Sequence, residues 1–200
     1  MTRARLAGLA LAVMLVVCTV SACSVSSPSR FYTLDPVAAA AGSGGSMKDS
    51  ILVGPVSVPD TVDRPEIVVR SGPNRVEINE FNRWASPLRD DIAQTVVADL
   101  GKLLDDPKIA AAPLANFNAA YRVVINVQRF ESVLGQSTSL GAVWTVRHVT
   151  DGFTRFGRTD VTEPVSGSGY SDLAAAHSRG IARLSGDIAA AIRAEAESGH

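Results

Sequence analysis

The chain of 200 residues has the usual length of one domain, and its 19 basic and 20 acidic residues leave a net charge of −1. Because the opposite charges nearly cancel, the chain has no long-range field that would attract a nucleic acid or an anionic surface. We therefore predict no nucleic-acid partner. Both cysteines, Cys18 and Cys23, lie near the amino terminus. No disulfide is therefore expected in the folded part of the chain.

The first residues have the layout of a secretory signal peptide. Arg3 and Arg5 form a short positive region, an apolar run follows over residues 6–17, and small residues come next. The run is shorter than the roughly 20 apolar residues that a membrane-spanning helix needs. We predict that residues 1–22 are a signal peptide that is removed.

The end of that run resembles the bacterial lipobox, in which an aliphatic residue and two small residues precede the cysteine that receives diacylglycerol. Cys23 is that cysteine, and it would also carry fatty acyl chains such as palmitate. More than one acyl chain makes a stable membrane anchor. The alternative is an ordinary cleaved signal in which Cys23 is incidental; Cys18 is disfavoured by the bulky valines before it. In the sorting rule for such lipoproteins, an aspartate after the cysteine favours retention in the inner membrane. Residue 24 is a serine, so the outer membrane is favoured. The matching residues are Val20-Ser21-Ala22-Cys23.

Residues 23–50 are rich in Ser, Ala and Gly, most of all at 38–46, and this composition predicts a flexible lipidated tether. Within it, residues 31–34 combine aromatic and β-branched side chains, so we expect a first strand there. The folded domain is predicted over residues 51–200.

Strand patterns begin at residue 51. Residues 51–58 form an apolar run interrupted by Gly54 and Pro55, which indicates a bulge or an edge position. Residues 66–70 and 75–78 flank a turn-forming stretch and predict a hairpin.

A helix is expected to follow, with Ser86 as its N-cap and Pro87 as its first helical position. Apolar residues then recur every three or four positions and form one stripe. They are Leu88, Ile92, Val96, Leu100 and Leu103.

The second half of the chain repeats this order. Residues 121–128 alternate apolar and polar, residues 142–149 form a second strand, and Asp151-Gly152 predicts a turn into a third strand at 153–161. A last helix is expected from 172 to about 195. The order predicts an α+β fold, a mostly antiparallel sheet with two helices packed on one face, in a single domain behind the tether.

Chemistry-bearing residues are few, and each has a structural explanation. His148 falls in a strand, His177 on the last helix and His200 at the terminus. The charged group Asp60, Asp63, Arg64 and Glu66, bracketed by prolines, favours a turn with ion pairs. No grouping of His, Cys, Asp and Glu shows metal-site spacing. We predict no catalytic, cofactor-binding or metal-binding residue and no enzymatic activity.

Three stretches resemble the PqiC-type auxiliary lipoproteins of ABC-type transporters: residues 31–34, residues 58–70 and, with the most specific match, residues 81–88. This last block contains Arg83, Trp84, Ala85, Pro87 and Leu88. The resemblance extends over nearly the whole chain after Cys23. Phe81, where the family more often has tyrosine, and the insertion at 42–46 are mild departures.

The resemblance implies a non-enzymatic envelope lipoprotein. It would be anchored in the outer membrane and face the periplasm. As part of an intermembrane lipid transport system, it would support the integrity of the outer membrane. Its partners would be a mammalian-cell-entry (MCE) domain protein, which forms a lipid tunnel, and ABC-type transporter components. A homo-oligomer matching an MCE ring is an expectation by analogy. Arg83 and Trp84 are candidate partner contacts, since Arg and Trp are frequent hot-spot residues; the competing interpretation has Trp84 in the core and Arg83 paired with an acid.

Two other functions stay open at this stage. One is an outer-membrane lipoprotein that activates or helps to assemble a cell-wall or envelope enzyme. The other is an envelope hydrolase, which would need a serine and one of the histidines to converge in a pocket.

Overall fold

The computed structural model describes residues 28–40, 47–105 and 108–198, which form eight strands and two helices. The predicted signal peptide and Cys23 lie outside the described residues, as do residues 41–46 of the Ala-Gly-Ser run. In chain order the elements are β1 (Arg30–Tyr32), β2 (Ile51–Ser57), β3 (Glu66–Gly72), β4 (Arg75–Trp84), α1 (Leu88–Leu104), β5 (Ile109–Ala111), β6 (Tyr121–Val133), β7 (Ser137–His148), β8 (Thr154–Pro164) and α2 (Tyr170–Ser198).

The α+β class and the two helices are confirmed, but the strands divide between two sheets rather than one. The smaller sheet has the order β1-β4-β3 and the larger has the order β5-β2-β6-β7-β8. Three strand pairs, β1 with β4, β2 with β5 and β2 with β6, are parallel. Residue patterns identify strands but do not say which neighbour a strand pairs with, so the division was not visible in the sequence.

The predicted hairpin and meander are present. β3 pairs with β4, and β6, β7 and β8 pair in series, all antiparallel. The expected irregularity in β2 is a register shift between Val53 and Val56, at Gly54, whose φ of +122° suits glycine. Along β6, Val123, Ile125 and Val127 are buried while the residues between them are exposed. This alternation defines an inner and an outer face of the larger sheet.

Both helices pack on the inner face of the larger sheet, α1 against β2 and β5, α2 against β7 and β8. The expected stripe of α1 is buried at Ile92, Val96 and Leu100. Its start differs from the prediction: Pro87 is the N-cap and no side chain caps the helix. Pro87 O accepts the N–H groups of the third and fourth residues after it, which places the helix start one residue later. Neither helix in the described part of the chain is long and apolar enough to cross a membrane.

Part of the predicted tether belongs to the folded unit. β1 pairs with β4 in parallel, and Leu34 is only 5% exposed. After β1 the chain runs along α1 as an extended segment, residues 34–38, which we call the strap. The ordered chain therefore begins before residue 51, because β1 and the strap bury an apolar side chain and form backbone hydrogen bonds.

The strap is held through its backbone. Three residues spaced four apart on one face of α1 contact the strap, Lys102 Nζ of the same helix donates to Pro36 O, and Ser178 Oγ of α2 accepts the N–H of Asp35 at 2.9 Å. Asp91 Oδ2 accepts the N–H of Leu34 at 3.0 Å, Thr95 Oγ1 donates to the same residue's carbonyl at 3.4 Å, and Asp99 Oδ1 accepts the N–H of Ala38 at 2.9 Å. Burial raises the pKa of both aspartates, against the opposing effect of the N–H groups they accept. The strap thus depends on carboxylates that α1 holds out of water.

Replacing Asp99 with alanine should release the strap. Asp99 is fully buried and also accepts from Ser185 of α2, so we expect a loss of about 1–3 kcal/mol in the free energy of unfolding. Asp99→Asn should lose less, because its side-chain oxygen still accepts from Ala38. Urea denaturation measures the loss, and faster hydrogen exchange at the Ala38 amide locates it. Asp90→Ala, at an exposed neighbouring position, is the control; equal effects of the two alanine variants would contradict this account.

Candidate functional site

A cleft of about 340 Å³ opens beside the most specific sequence block. One wall is the connection between β2 and β3, and the other is the connection from β4 into α1. We call it the arginine cleft; its lining residues are Asp63, Arg64, Pro65, Trp84, Ala85, Ser86, Pro87 and Arg89.

Backbone hydrogen bonds fix both walls. Pro59 O accepts the N–H groups of Val62 and Asp63, at 2.9 and 3.1 Å, and so closes the turn that the prolines predicted. Trp84 N–H donates to Pro65 O at 2.7 Å, which ties one wall to the other. The cleft is therefore a fixed feature of the fold, not a gap between loose loops.

Three guanidinium groups and two carboxylates surround the arginine cleft. Arg64 and Arg83 share Glu66, at 3.1 and 3.3 Å, and Arg89 pairs with Asp63 at 3.1 Å. The hydrogen bond from Arg64 is the main cause that holds the pKa of Glu66 below its usual value. In each pair the arginine is the more exposed partner, 52% against 31% for Arg89 and Asp63. The rim of the cleft therefore presents positive charge to solvent.

Under the rim lies an aromatic cluster. Trp84 is 5% exposed, and its ring meets Phe130 and His177 edge to face, with centroids 6.2 Å apart in both pairs. His177 stacks on Phe130 at 3.8 Å. The cluster forms a rigid floor that positions the β4–α1 connection.

The structure separates the two residues that the sequence marked as candidate contacts. Arg83 lies at the surface, paired with Glu66. Trp84 is in the core, although it also contributes to the cleft wall. These positions match the competing interpretation, in which Trp84 fills the core and Arg83 pairs with an acid. Arg89, which the sequence analysis did not single out, is the most exposed cation at the cleft. The sequence feature that could have drawn attention to Arg89 was its position in the first turn of α1, next to the most specific sequence block.

A serine and a histidine do converge, as the hydrolase alternative required, but inside the protein. Ser132 Oγ and His177 Nε2 are joined by a 2.8 Å hydrogen bond, and the residues are 3% and 2% exposed. Burial lowers the pKa of His177 to about 3, so its imidazole is neutral at ordinary pH. The arginine cleft is lined by neither residue. The pair is accounted for as a satisfied polar contact in the core.

Long-range folding also brings together His148, Asp151 and Glu195, whose ligand-type atoms lie within 4.8 Å of one another. Such a group can hold a cation, and sequence spacing did not predict it. His148 Nδ1 lies 2.9 Å from Asp151 Oδ2, although its N–H is not aligned for a hydrogen bond. The N–H of Phe153 and then His148 hold the pKa of Asp151 below its usual value. The contact closes the turn between β7 and β8.

The sequence model of the ABC-type transport auxiliary lipoprotein component family matches residues 32–189, from the end of β1 to the last turns of α2. The chain belongs to this family. The match includes the strap, both sheets and the arginine cleft. The chain is thus a lipoprotein component associated with ABC-type transport. No curated protein matches it in sequence.

Solved structures share the fold. An uncharacterized protein is 22% identical with a TM-score of 0.68, over 83% of this chain and 99% of its own. A protein from Xanthomonas campestris is 20% identical with a TM-score of 0.68, over 86% of this chain and 100% of its own. A PelC dodecamer from Paraburkholderia phytofirmans is 18% identical over 72% of this chain and 92% of its own; its TM-score of 0.38 is too low to support an argument.

Proposed function

We propose that this chain is the periplasm-facing lipoprotein subunit of an MCE/ABC-type intermembrane lipid transport system. It is held in the outer membrane through Cys23, docks the tunnel-forming MCE partner and thereby supports outer-membrane integrity. Membership of the transport auxiliary family over residues 32–189 is the observation that carries the proposal. The signal-peptide pattern and the lipobox resemblance support the anchor.

The arginine cleft is the docking surface in this proposal. Its rim is positive, since the acids that pair with Arg64, Arg83 and Arg89 are less exposed than the arginines. A partner with an acidic side chain or carboxy terminus would complement it. Arg83 would contact the partner, whereas Trp84 would keep the wall of the cleft rigid. Preorganisation of this kind lowers the entropic cost of binding.

The proposal needs no catalysis by this subunit. The Ser132–His177 pair is sealed from solvent, and the arginines of the cleft are ion-paired with carboxylates rather than placed beside a nucleophile. These features suit a binding surface.

A crosslinking pulldown from native membranes tests the proposal, with partners identified by mass spectrometry and Cys23→Ala as the anchor control. We expect MCE-domain and ABC-transporter subunits with the native chain. The double variant Arg64→Glu/Arg89→Glu should reduce their recovery about tenfold, because like charges at an interface repel. Arg75→Glu, at a side chain that is 75% exposed on β4, should leave recovery unchanged. Exposed ion pairs contribute little to stability, so all of these variants should fold.

Two results would count against the proposal. Recovery of cell-wall or envelope enzymes without transporter subunits would favour the alternative, an activating or assembly lipoprotein. Transporter recovery that is unaffected by the double variant would keep the transport role but move the docking surface away from the arginine cleft.

A further inference from the structure

Neither helix of the described part of the chain packs on the outer face of β6, β7 and β8. This face carries a shallow groove of about 640 Å³ between β6 and β8. Phe156 on the rim is 77% exposed, more than any other large hydrophobic side chain in the described residues. Val124, in register with it across Thr145 of β7, is 42% exposed. We call this surface, which also includes Val143 two residues before Thr145 on β7, the open face.

The core fixes the open face from behind. Trp144 Nε1 donates to Thr159 Oγ1 at 3.1 Å, and Thr159 Oγ1 donates to Asp187 Oδ2 on α2 at 2.5 Å. Gly157 leaves room for that indole, since a Cβ there would lie 2.1 Å from Trp144 Cζ2. With β8 held on its inner side in this way, Phe156 is committed to the outer side.

Positive charge lies beside the apolar centre. Arg122 and Arg147 are exposed and are direct partners across β6 and β7, an arrangement of like charges that destabilises a sheet. Neither guanidinium forms an ion pair or hydrogen bond with another described residue. Further along the sheet, Arg129 of β6 and Arg158 of β8 share a single carboxylate, that of Asp160. The near-zero net charge of the chain conceals this local excess of cations.

We propose that the open face docks on an anionic phospholipid membrane. Phe156, Val124 and Val143 enter the boundary between headgroups and acyl chains, while Arg122 and Arg147 bind lipid phosphates. Lipid phosphates supply the anion that the opposed arginines lack, and the bilayer interior supplies the apolar phase for the exposed phenylalanine.

The proposal rests on the proposed function in one respect, the lipid anchor on Cys23. The chain from Cys23 to β1 at Arg30 spans at most about 25 Å, so an anchored domain stays at the membrane surface. The outer face of the sheet can then meet the same membrane that holds the anchor. A bilayer fits these features better than an acidic protein does, because an acidic partner would not require the exposed aromatic centre.

The anchored lipoprotein itself allows a direct test. With Cys18 in the removed signal peptide and Cys23 lipidated, Phe156→Cys introduces a single reactive thiol, which is labelled with the environment-sensitive fluorophore NBD. The protein is reconstituted into phosphatidylcholine vesicles or into an equal mixture of phosphatidylcholine and phosphatidylglycerol. The anchor equalises the amount of protein on both kinds of vesicle.

We expect the fluorescence of the Phe156→Cys label to rise about twofold or more, with a blue shift, in the anionic vesicles only, because the label leaves water. Adding Arg122→Glu/Arg147→Glu should abolish the rise, and molar salt should suppress it by screening. The matched control is a label at Val76→Cys, a position that is 55% exposed on β4 of the smaller sheet, and it should not respond.

Several outcomes would overturn the proposal. An unchanged signal at position 156, or an equal change at position 76, would mean that the open face does not meet the bilayer. A rise that follows protein density rather than phosphatidylglycerol would assign the face to contacts between copies of this chain. A rise only on adding membrane proteins would assign it to an acidic partner. Failure to incorporate into either vesicle would refute the anchor and the proposed function with it, whereas incorporation without a response refutes only the docking.

Discussion

Replacing Trp84 with alanine should lower the free energy of unfolding by about 3–5 kcal/mol, the usual cost of deleting a large aromatic side chain from a core. Trp84 is 5% exposed and contacts both Phe130 and His177 edge to face. Its backbone also joins the two walls of the arginine cleft through Pro65. Denaturation in guanidinium chloride, followed by circular dichroism, measures the change.

Trp84→Phe is the matched control for that variant, because it keeps an aromatic ring against Phe130 and should lose clearly less stability. Partner recovery in the pulldown should follow the same order, since a collapsed floor would distort the cleft. A loss below about 1 kcal/mol in Trp84→Ala, together with complete loss of partner recovery, would reverse our assignment. Trp84 would then be a contact residue rather than a core residue.

Acid should destabilise the fold through His177. Burial lowers the pKa of His177 to about 3, against an ordinary value of 6.5, so between these values the unfolded chain binds a proton that the folded chain does not. Stability contributed by the neutral imidazole is therefore present above pH 6.5 and falls as pH decreases through this window. The slope is about 1.4 kcal/mol per pH unit, which amounts to about 2 kcal/mol between pH 7 and pH 5.

The double variant Ser132→Ala/His177→Phe should remove this sensitivity. It replaces both partners of a buried hydrogen bond with apolar groups, which avoids leaving one partner unsatisfied. Ser132→Ala alone keeps the histidine and serves as the control. Asp91 and Asp99 have the opposite effect on stability: burial raises their pKa, so just above the ordinary value the folded chain binds the proton and acid stabilises it. Both aspartates are present in both variants, so their effect cancels in the comparison. Identical pH dependence of urea denaturation in the two variants would show that His177 is not the acid-sensitive group.

Local pattern was sufficient to predict most elements. The period-two alternation of β6 and the apolar stripe of α1 each show which side of a single segment faces the core. Such patterns can be recognised in about a dozen consecutive residues. Pairing between distant segments has no such local signal. The parallel pairing of β1 with β4 joins residues about fifty positions apart, and the strap looks like tether because its contacts use backbone groups that any sequence has.

In the candidate site, too, the separate stretches were recognised from local sequence but their spatial arrangement was not. The charged group with Asp63 and Arg64 and the block with Arg83 and Trp84 were recognised as separate stretches. Only the fold shows that they are opposite walls of one cleft. Arg89 and the group of His148 with Asp151 and Glu195 became visible only in three dimensions. Residues that cooperate across long sequence separations are brought together by the topology, which a local residue pattern does not encode.

Apart from Leu34, which is buried in the core, the strap is held through its peptide groups rather than through its side chains. Asp35 and Val37 are exposed there, and neither side chain takes part in the hydrogen bonds from the strap backbone to α1 and α2. Substitutions at these two positions should therefore leave the strap attached, whereas substitutions at Asp91 or Asp99 should loosen it. For the experimenter, Asp35 and Val37 are positions for a reporter or crosslinker, about a dozen residues after the proposed lipid site at Cys23, that leave the attachment of the strap to the domain intact.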